Sequence, residues 1–207
     1  MDDRTLPPER HRLLYETAAR EFAAHGFENA SLNAIIRACG ISKSSFYHFF
    51  ESKEALFDRV VEAAAAALGR DLAAPAPEVF AGPRFWDRVG AFVAEALLIA
   101  SRQAWYADFG RLFYLPDRAA SRSPALARIL AGVADWVARV IAVGRASGAV
   151  GDDLPASLQA ELVFAVLQAM DRWSLHHLDR LDEAAQARLL AGQFDALRRL
   201  LAPAPGP

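Results

Sequence analysis

The chain has 207 residues, 54% hydrophobic and 23% charged, with 23 Lys+Arg against 25 Asp+Glu and a formal net charge of −2. These values describe an ordinary soluble globular chain. They exclude a disordered, collagen-like or disulfide-stapled one, and a generally basic nucleic-acid coat, but leave a local basic surface open. The single Cys39 excludes an intrachain disulfide and a cysteine-based zinc finger, and no uncharged apolar run reaches the roughly 18 residues of a membrane span.

Ala, Leu, Arg and Glu dominate, and Val, Ile and Thr never alternate as they would in a strand, so the chain reads as all-α. A first helix is expected over residues 8–25, with Pro7-Pro8 in or before its first turn and Leu13, Leu14, Ala18, Ala19 and Phe22 as its apolar stripe. Gly26 ends it, and Phe27 folds back as the hydrophobic return contact. Ser31 caps a short helix carrying Leu32, Ile35 and Ile36, and Gly40 is the left-handed residue of the following turn. Ser42 caps a third helix, residues 42–49, and Ser52 a fourth, residues 53–72, with Leu56, Val60, Ala63 and Ala64 facing inward.

The Ala-Pro-rich stretch at residues 73–77 is the clear internal breaker and sets a domain boundary, giving 1–72 and 73–207. Further helices are expected over 84–99, 102–114, 124–147, 155–178 and 182–201, about nine in all, with turns at Leu115-Pro116 and residues 148–151 and a disordered Pro-rich tail. The polar N-terminus reads as no signal peptide, and the lone cysteine fits a reducing cytoplasm, so the expected location is cytoplasmic.

Two short helices joined by a tight Gly-containing turn form a helix-turn-helix, whose second helix enters the DNA major groove. Here that helix is Ser42-Lys-Ser-Ser-Phe-Tyr-His-Phe49. Its small hydroxyl residues permit close approach to DNA, Lys43 supplies a donor, and Tyr47 offers a ring face and a hydroxyl, while Phe46 and Phe49 can turn back into the core. Lys43 and Lys53 are the only lysines beside 21 arginines, and each follows a serine cap. A cation in a first helical turn opposes the helix dipole, whereas a phosphate there would be favoured by dipole, free N–H groups and lysine together. Two such starts flanking the groove helix could grip one backbone segment, and both lysines could then be removed without loss of fold. The bland alternative is a pair of solvated surface lysines.

Residues from about 9 to 62 resemble the DNA-binding domain of the tetracycline-repressor (TetR) family of transcriptional regulators. The matching stretches are Leu13-Leu14, Ala18-Ala19, Phe22, His25-Gly26-Phe27, Ser31-Leu32, Ile35-Ile36, Cys39-Gly40-Ile41-Ser42-Lys43-Ser44-Ser45-Phe46-Tyr47-His48-Phe49-Phe50 and Ser52-Lys53-Glu54-Ala55-Leu56-Phe57. The resemblance implies backbone contacts from Ser31, Ser42, Ser45, Tyr47 and Lys53, and base or groove contacts from Lys43, Ser44, Tyr47 and His48. Ile36 and Cys39 stand where the family usually has Ala, and Ser44 where Gly is frequent. The implied architecture is an N-terminal three-helix helix-turn-helix domain followed by a C-terminal helical bundle for ligand binding and dimerisation.

The second half is rich in aromatics. Trp86, Phe92, Trp105, Tyr106, Phe109, Phe113, Trp136, Phe164, Met170, Trp173 and His176 are candidates for an effector pocket, with core packing the alternative for each. Asp108, Arg111, Asp135, Asp171 and His177 are further polar candidates. Adjacent His176 and His177 point about 100° apart on a helix, a poor metal site, so no metal and no cofactor is expected. Leu162, Val166, Leu190, Phe194, Leu197 and Leu201 are candidates for a two-fold four-helix dimer interface. No phosphate loop, zinc-helix motif or nucleophile elbow is present, so no enzyme is expected. The reading is a dimeric, ligand-responsive DNA-binding regulator, a repressor released from a palindromic operator by a small apolar or aromatic effector. The alternative is a helical small-molecule-binding protein or enzyme without DNA binding.

Overall fold

The computed structural model describes residues 7–102, 104–115 and 123–203. Among these are nine α-helices, two short 3-10 turns and no strand. The end of the Pro-rich tail and Pro116 of the expected Leu115-Pro116 turn lie outside the described residues.

Helix α1 (Pro8–Asn29) begins behind Pro7, with proline in its first turn. Leu14, Ala18 and Phe22 recur every fourth residue and are buried together with Ala19. Leu13 is 46% exposed, because adjacent helical residues diverge by about 100° and it falls off that row. Gly26, at φ 74° and ψ 167°, breaks the helical path before a final short turn, so the expected terminus is a kink. Helices α2 (Leu32–Ala38), α3 (Lys43–Phe49) and α4 (Lys53–Leu72) each follow a serine cap. Ser31, Ser42 and Ser52 accept the N–H groups of Ala34, Ser45 and Ala55 at 3.2, 3.0 and 3.2 Å. Caps of this kind contribute about 1 kcal/mol each. Gly40 takes the left-handed conformation, φ 62°, between α2 and α3. Phe22, Phe27 and Phe57 meet as a three-ring cluster with centroid separations of 5.1–5.7 Å.

The remaining helices are α5 (Phe85–Arg102), α6 (Ala104–Leu112), α7 (Pro124–Ala146), α8 (Ala156–His177) and α9 (Glu183–Leu201). The chain forms two compact units that are not continuous in sequence. The first comprises Met1–Asp71 with Ala100–Ile129, the second Leu72–Ile99 with Leu130–Pro207. In the first, α6 packs on α1, burying Tyr106, Phe109 and Leu112 at three-residue spacing. Ser123 donates to Asp58 of α4 and caps the start of α7 by accepting from Leu126, and Arg128 pairs with Glu62 of α4 at 2.7 Å.

The second unit is built around Phe80, Phe85, Val137, Val140, Ile141, Val150, Val163 and Leu201, with Trp86, Phe92 and Trp136 packed against them. Gly144 of α7 is the close-approach point: a Cβ there would lie 2.5 Å from Val150 and 2.8 Å from Phe85. The indole N–H of Trp86 donates to the Ala149 carbonyl at 3.0 Å, and that of Trp136 to the Pro75 carbonyl at 2.9 Å. Arg145 gathers the carbonyls of Gly151 and Leu154 and the side chain of buried Gln159, which satisfies the polar groups of the turn into α8.

Candidate nucleic-acid interface

Helix α3, expected from its sequence to be the groove helix, is anchored by one side chain. Phe46 is fully buried, stacks on Phe50 at 5.2 Å and meets Tyr47 edge-on at 5.3 Å. With that anchor inward, Ser42, Lys43, Ser44, Ser45, Tyr47 and His48 form one exposed surface. Tyr47 is 49% exposed, far more than a ring of its size needs for packing. Phe49 is half-buried, less inward than expected. The Ser42 hydroxyl also meets those of Ser44 and Ser45 at 2.9 and 2.8 Å, so the three serines form one hydroxyl cluster at the helix start. That cluster limits the rotamers available at the surface before any partner arrives.

The two Ser-Lys starts are alike in sequence and different in structure. Lys43 is exposed. The Lys53 ammonium turns back to the end of α1, donating to the carbonyls of Glu28 at 3.0 Å and Ala30 at 3.2 Å and lying 4.8 Å from the Phe27 ring centre. Its charge therefore meets the negative end of α1 as well as the positive start of α4. Two of its three N–H groups are committed within the fold. Glu21 was not singled out from sequence, yet its carboxylate accepts the Ser31 N–H at 2.9 Å and fixes the corner between α1 and α2. Cys39, at the end of α2, is half-buried; burial raises its thiol pKa, partly offset by a hydrogen bond with Thr17.

The aromatic candidates do not assemble within one unit. Trp105, Tyr106, Phe109 and Phe113 belong to the first, and Trp86, Phe92, Trp136, Phe164, Met170, Trp173 and His176 to the second. Trp86, Phe92 and Trp136 serve the second unit's core. Trp173 is 44% exposed and stacks on His177 at 4.4 Å. His176 and His177 each direct Nδ1 at the carbonyl four residues earlier, at 2.7 and 2.8 Å. Asp108 pairs with Arg111 at 2.9 Å, and Asp135 with Arg139 at 3.1 Å. Among the described residues no group of three or more His, Cys, Asp or Glu side chains could hold a metal, and no helix is long and apolar enough to cross a membrane.

Of the dimer candidates, Leu201 is buried in the second unit's core, Leu197 packs against that core, and Phe194 meets the Trp86 ring at 6.1 Å. Val166 and Leu190 are half-buried. Leu162 is 39% exposed, and with Leu158 (43%) and Trp173 it makes an exposed apolar row along α8. The four- and eleven-residue spacings keep these three within about 60° of one another around the helix.

Residues 14–60 match the family model described as bacterial regulatory proteins, TetR family. The HTH-type transcriptional regulator UidR of Escherichia coli is 47% identical over 55 residues, which are 26% of this chain and 27% of that protein. The alignment thus spans about a quarter of the relative's length. The regulatory protein TetR of Rhodobacter sphaeroides is 20% identical with a TM-score of 0.64, covering 93% of this chain and 99% of that one. FadR of Bacillus subtilis, a transcriptional regulator solved in complex with stearoyl-CoA, is 14% identical with a TM-score of 0.67, covering 94% and 100%. At such identities these two likenesses establish the fold alone. The relatives named are transcriptional regulators, not enzymes. The likeness to the TetR family of bacterial regulatory proteins is thus one of sequence over residues 14–60 and one of fold over most of the chain.

Proposed function

We propose that this protein is a cytoplasmic, dimeric transcriptional repressor that binds a palindromic operator and is released by a small apolar or aromatic effector. The observation that carries the reading is the surface of α3, where Lys43, Ser44, Tyr47 and His48 are exposed on a helix fixed by the buried Phe46. Residues 1–72 form the DNA-binding domain in this reading and 73–207 the effector and dimerisation domain. Lys43, Ser44, Tyr47 and His48 meet the groove, and Ser31, Ser42 and Ser45 position the backbone. Lys53 supports this surface mainly from within, through the carbonyls it binds.

The dimer is supported by the exposed row Leu158, Leu162 and Trp173 on α8. An apolar row of this kind suits an isologous two-fold contact. Two-fold symmetry would place the groove helices about 34–36 Å apart, one DNA turn. A responsive effector is supported by the aromatic side chains of α5 to α8 and by FadR's complex with stearoyl-CoA. Such an effector releases DNA only to the extent that it prefers one of two conformers.

Fluorescence anisotropy with duplexes tiled across the DNA upstream of the protein's own gene tests the reading. The expected result is salt-dependent binding to a two-fold-symmetric site, weakened by Lys43→Ala and Tyr47→Ala. Binding that lacks sequence preference and ignores both substitutions would refute it.

A further inference from the structure

In the first unit, the row of α4 that faces α1 is Val60, Ala63, Ala64 and Ala67, spaced as one side of a helix. Methyl groups reach too short a distance to fill the gap between these helices and α6. The result is a cavity of about 460 Å³, with Tyr15 and Ala19 on the α1 side and Trp105 and Tyr106 on the α6 side. It is a half-open groove rather than a closed void, and its volume falls in the range of small-molecule sites. Its floor is buried at Ala19, Val60, Ala64 and Tyr106, and its rim is exposed at Arg12 and Arg70.

The charges around it are unevenly committed. Glu16 faces Arg12 at 3.7 Å on the same helix. Asp71 accepts the Tyr106 hydroxyl proton. Arg70 has no hydrogen bond or ion pair among the described residues, although it lines the cavity. The site therefore presents an apolar floor, aromatic sides, the paired carboxylates of Glu16 and Asp71, and the Arg70 guanidinium, whose charge acts on the Tyr106 hydroxyl but which makes no hydrogen bond or ion pair among the described residues. A guanidinium fork is suited to a carboxylate, and flat aromatic surface to a ring system.

We propose that this cavity binds an aromatic monocarboxylate, its rings on the alanine floor beside Trp105 and its carboxylate on Arg70. The proposal goes beyond the reading above: this site is lined by residues 12–71 with Trp105 and Tyr106, and is separate from the effector site proposed for residues 73–207. Binding itself is measured without DNA, so the two can fail separately.

The test is isothermal titration calorimetry of the full chain with naphthoate and with its uncharged amide. The wild type should bind naphthoate at least about tenfold more tightly than the amide, the worth of one charge-assisted contact. Arg70→Gln, at the exposed rim, should erase that preference and leave amide binding unchanged. Ala67→Leu should abolish binding of both while keeping the wild-type circular dichroism spectrum; if it disturbs the spectrum, Ala63→Leu takes its place. Failure of the wild type to bind naphthoate saturably would overturn the proposal. So would a charge preference that survives Arg70→Gln, or binding that survives filling of the cavity.

Discussion

Replacing Lys53 with methionine keeps the length of the stem and its contact with Phe27 while removing the ammonium. Two charged hydrogen bonds are lost, to the carbonyls of Glu28 and Ala30. The side chain is half-exposed, so each contributes about 1 kcal/mol after discounting for water. The cation over the Phe27 ring adds about 0.5 kcal/mol. Removing a positive charge from the first turn of α4 returns about 0.3–0.5 kcal/mol. The balance is a loss of about 2 kcal/mol. With a urea dependence of about 2 kcal/mol/M, the unfolding midpoint should fall by about 1 M. Lys43→Ala should behave in the opposite way. It removes an exposed cation from the start of α3 and should leave the midpoint unchanged or raise it slightly, while lowering the salt slope of DNA binding by about one. Urea titrations of the two variants, followed by far-UV circular dichroism, separate these outcomes. A wild-type midpoint for Lys53→Met, or an equal loss in Lys43→Ala, would refute the assignment of Lys53 to the end of α1.

Other consequences follow from the same kind of accounting. Gly144→Ala forces a methyl group against Val150 and Phe85, and should cost about 1–3 kcal/mol by thermal or urea unfolding. Ser42→Ala removes the cap of α3 and the centre of its hydroxyl cluster; about 1 kcal/mol of stability should go, and DNA affinity with it. The Tyr106 hydroxyl pKa is pushed up from 10 to about 12 by burial and by its hydrogen bond to Asp71. The folded chain thus holds this proton more tightly than the unfolded chain, and the resulting stability is fully present below pH 10 and lost as pH rises towards 12. The stability gap between wild type and Tyr106→Phe should narrow over that interval, and a constant gap would contradict it.

Much of the first unit was legible because its signals are local. Serine caps at Ser31, Ser42 and Ser52 use hydrogen bonds three residues long, and the positive φ of Gly26 and Gly40 follows from glycine's missing Cβ. Of the two α3 phenylalanines expected to turn back into the core, Phe46 is buried and Phe49 only half-buried. What escaped the sequence depends on distant partners. Nothing in Ser52-Lys53 distinguishes it from Ser42-Lys43; the carbonyls of Glu28 and Ala30 do, from more than twenty positions away. The aromatic face of α6 identifies something to be buried, but not that α1 is what buries it. The row of alanines on α4 reads as good helix composition, and becomes a cavity only when α1 and α6 stand opposite. Phe194, Leu197 and Leu201 form a stripe that fits an interface and a core equally well; within one chain Leu201 lies in the second unit's core, while Phe194 and Leu197 are half-buried.

The tryptophans of the second unit give the protein a built-in optical record. Trp86 and Trp136 are partly buried with their indole N–H groups tied to backbone carbonyls, whereas Trp173 is 44% exposed against His177. The first two are screened from solvent relaxation and should emit at shorter wavelengths; Trp173 should emit at longer wavelengths and be open to a soluble quencher. A contact that covers α8 would shift and shield the Trp173 component alone. With Trp105, the one tryptophan of the first unit, replaced by phenylalanine, self-association can therefore be followed by dilution of the unlabelled chain, Trp86 and Trp136 serving as internal references screened from the quencher.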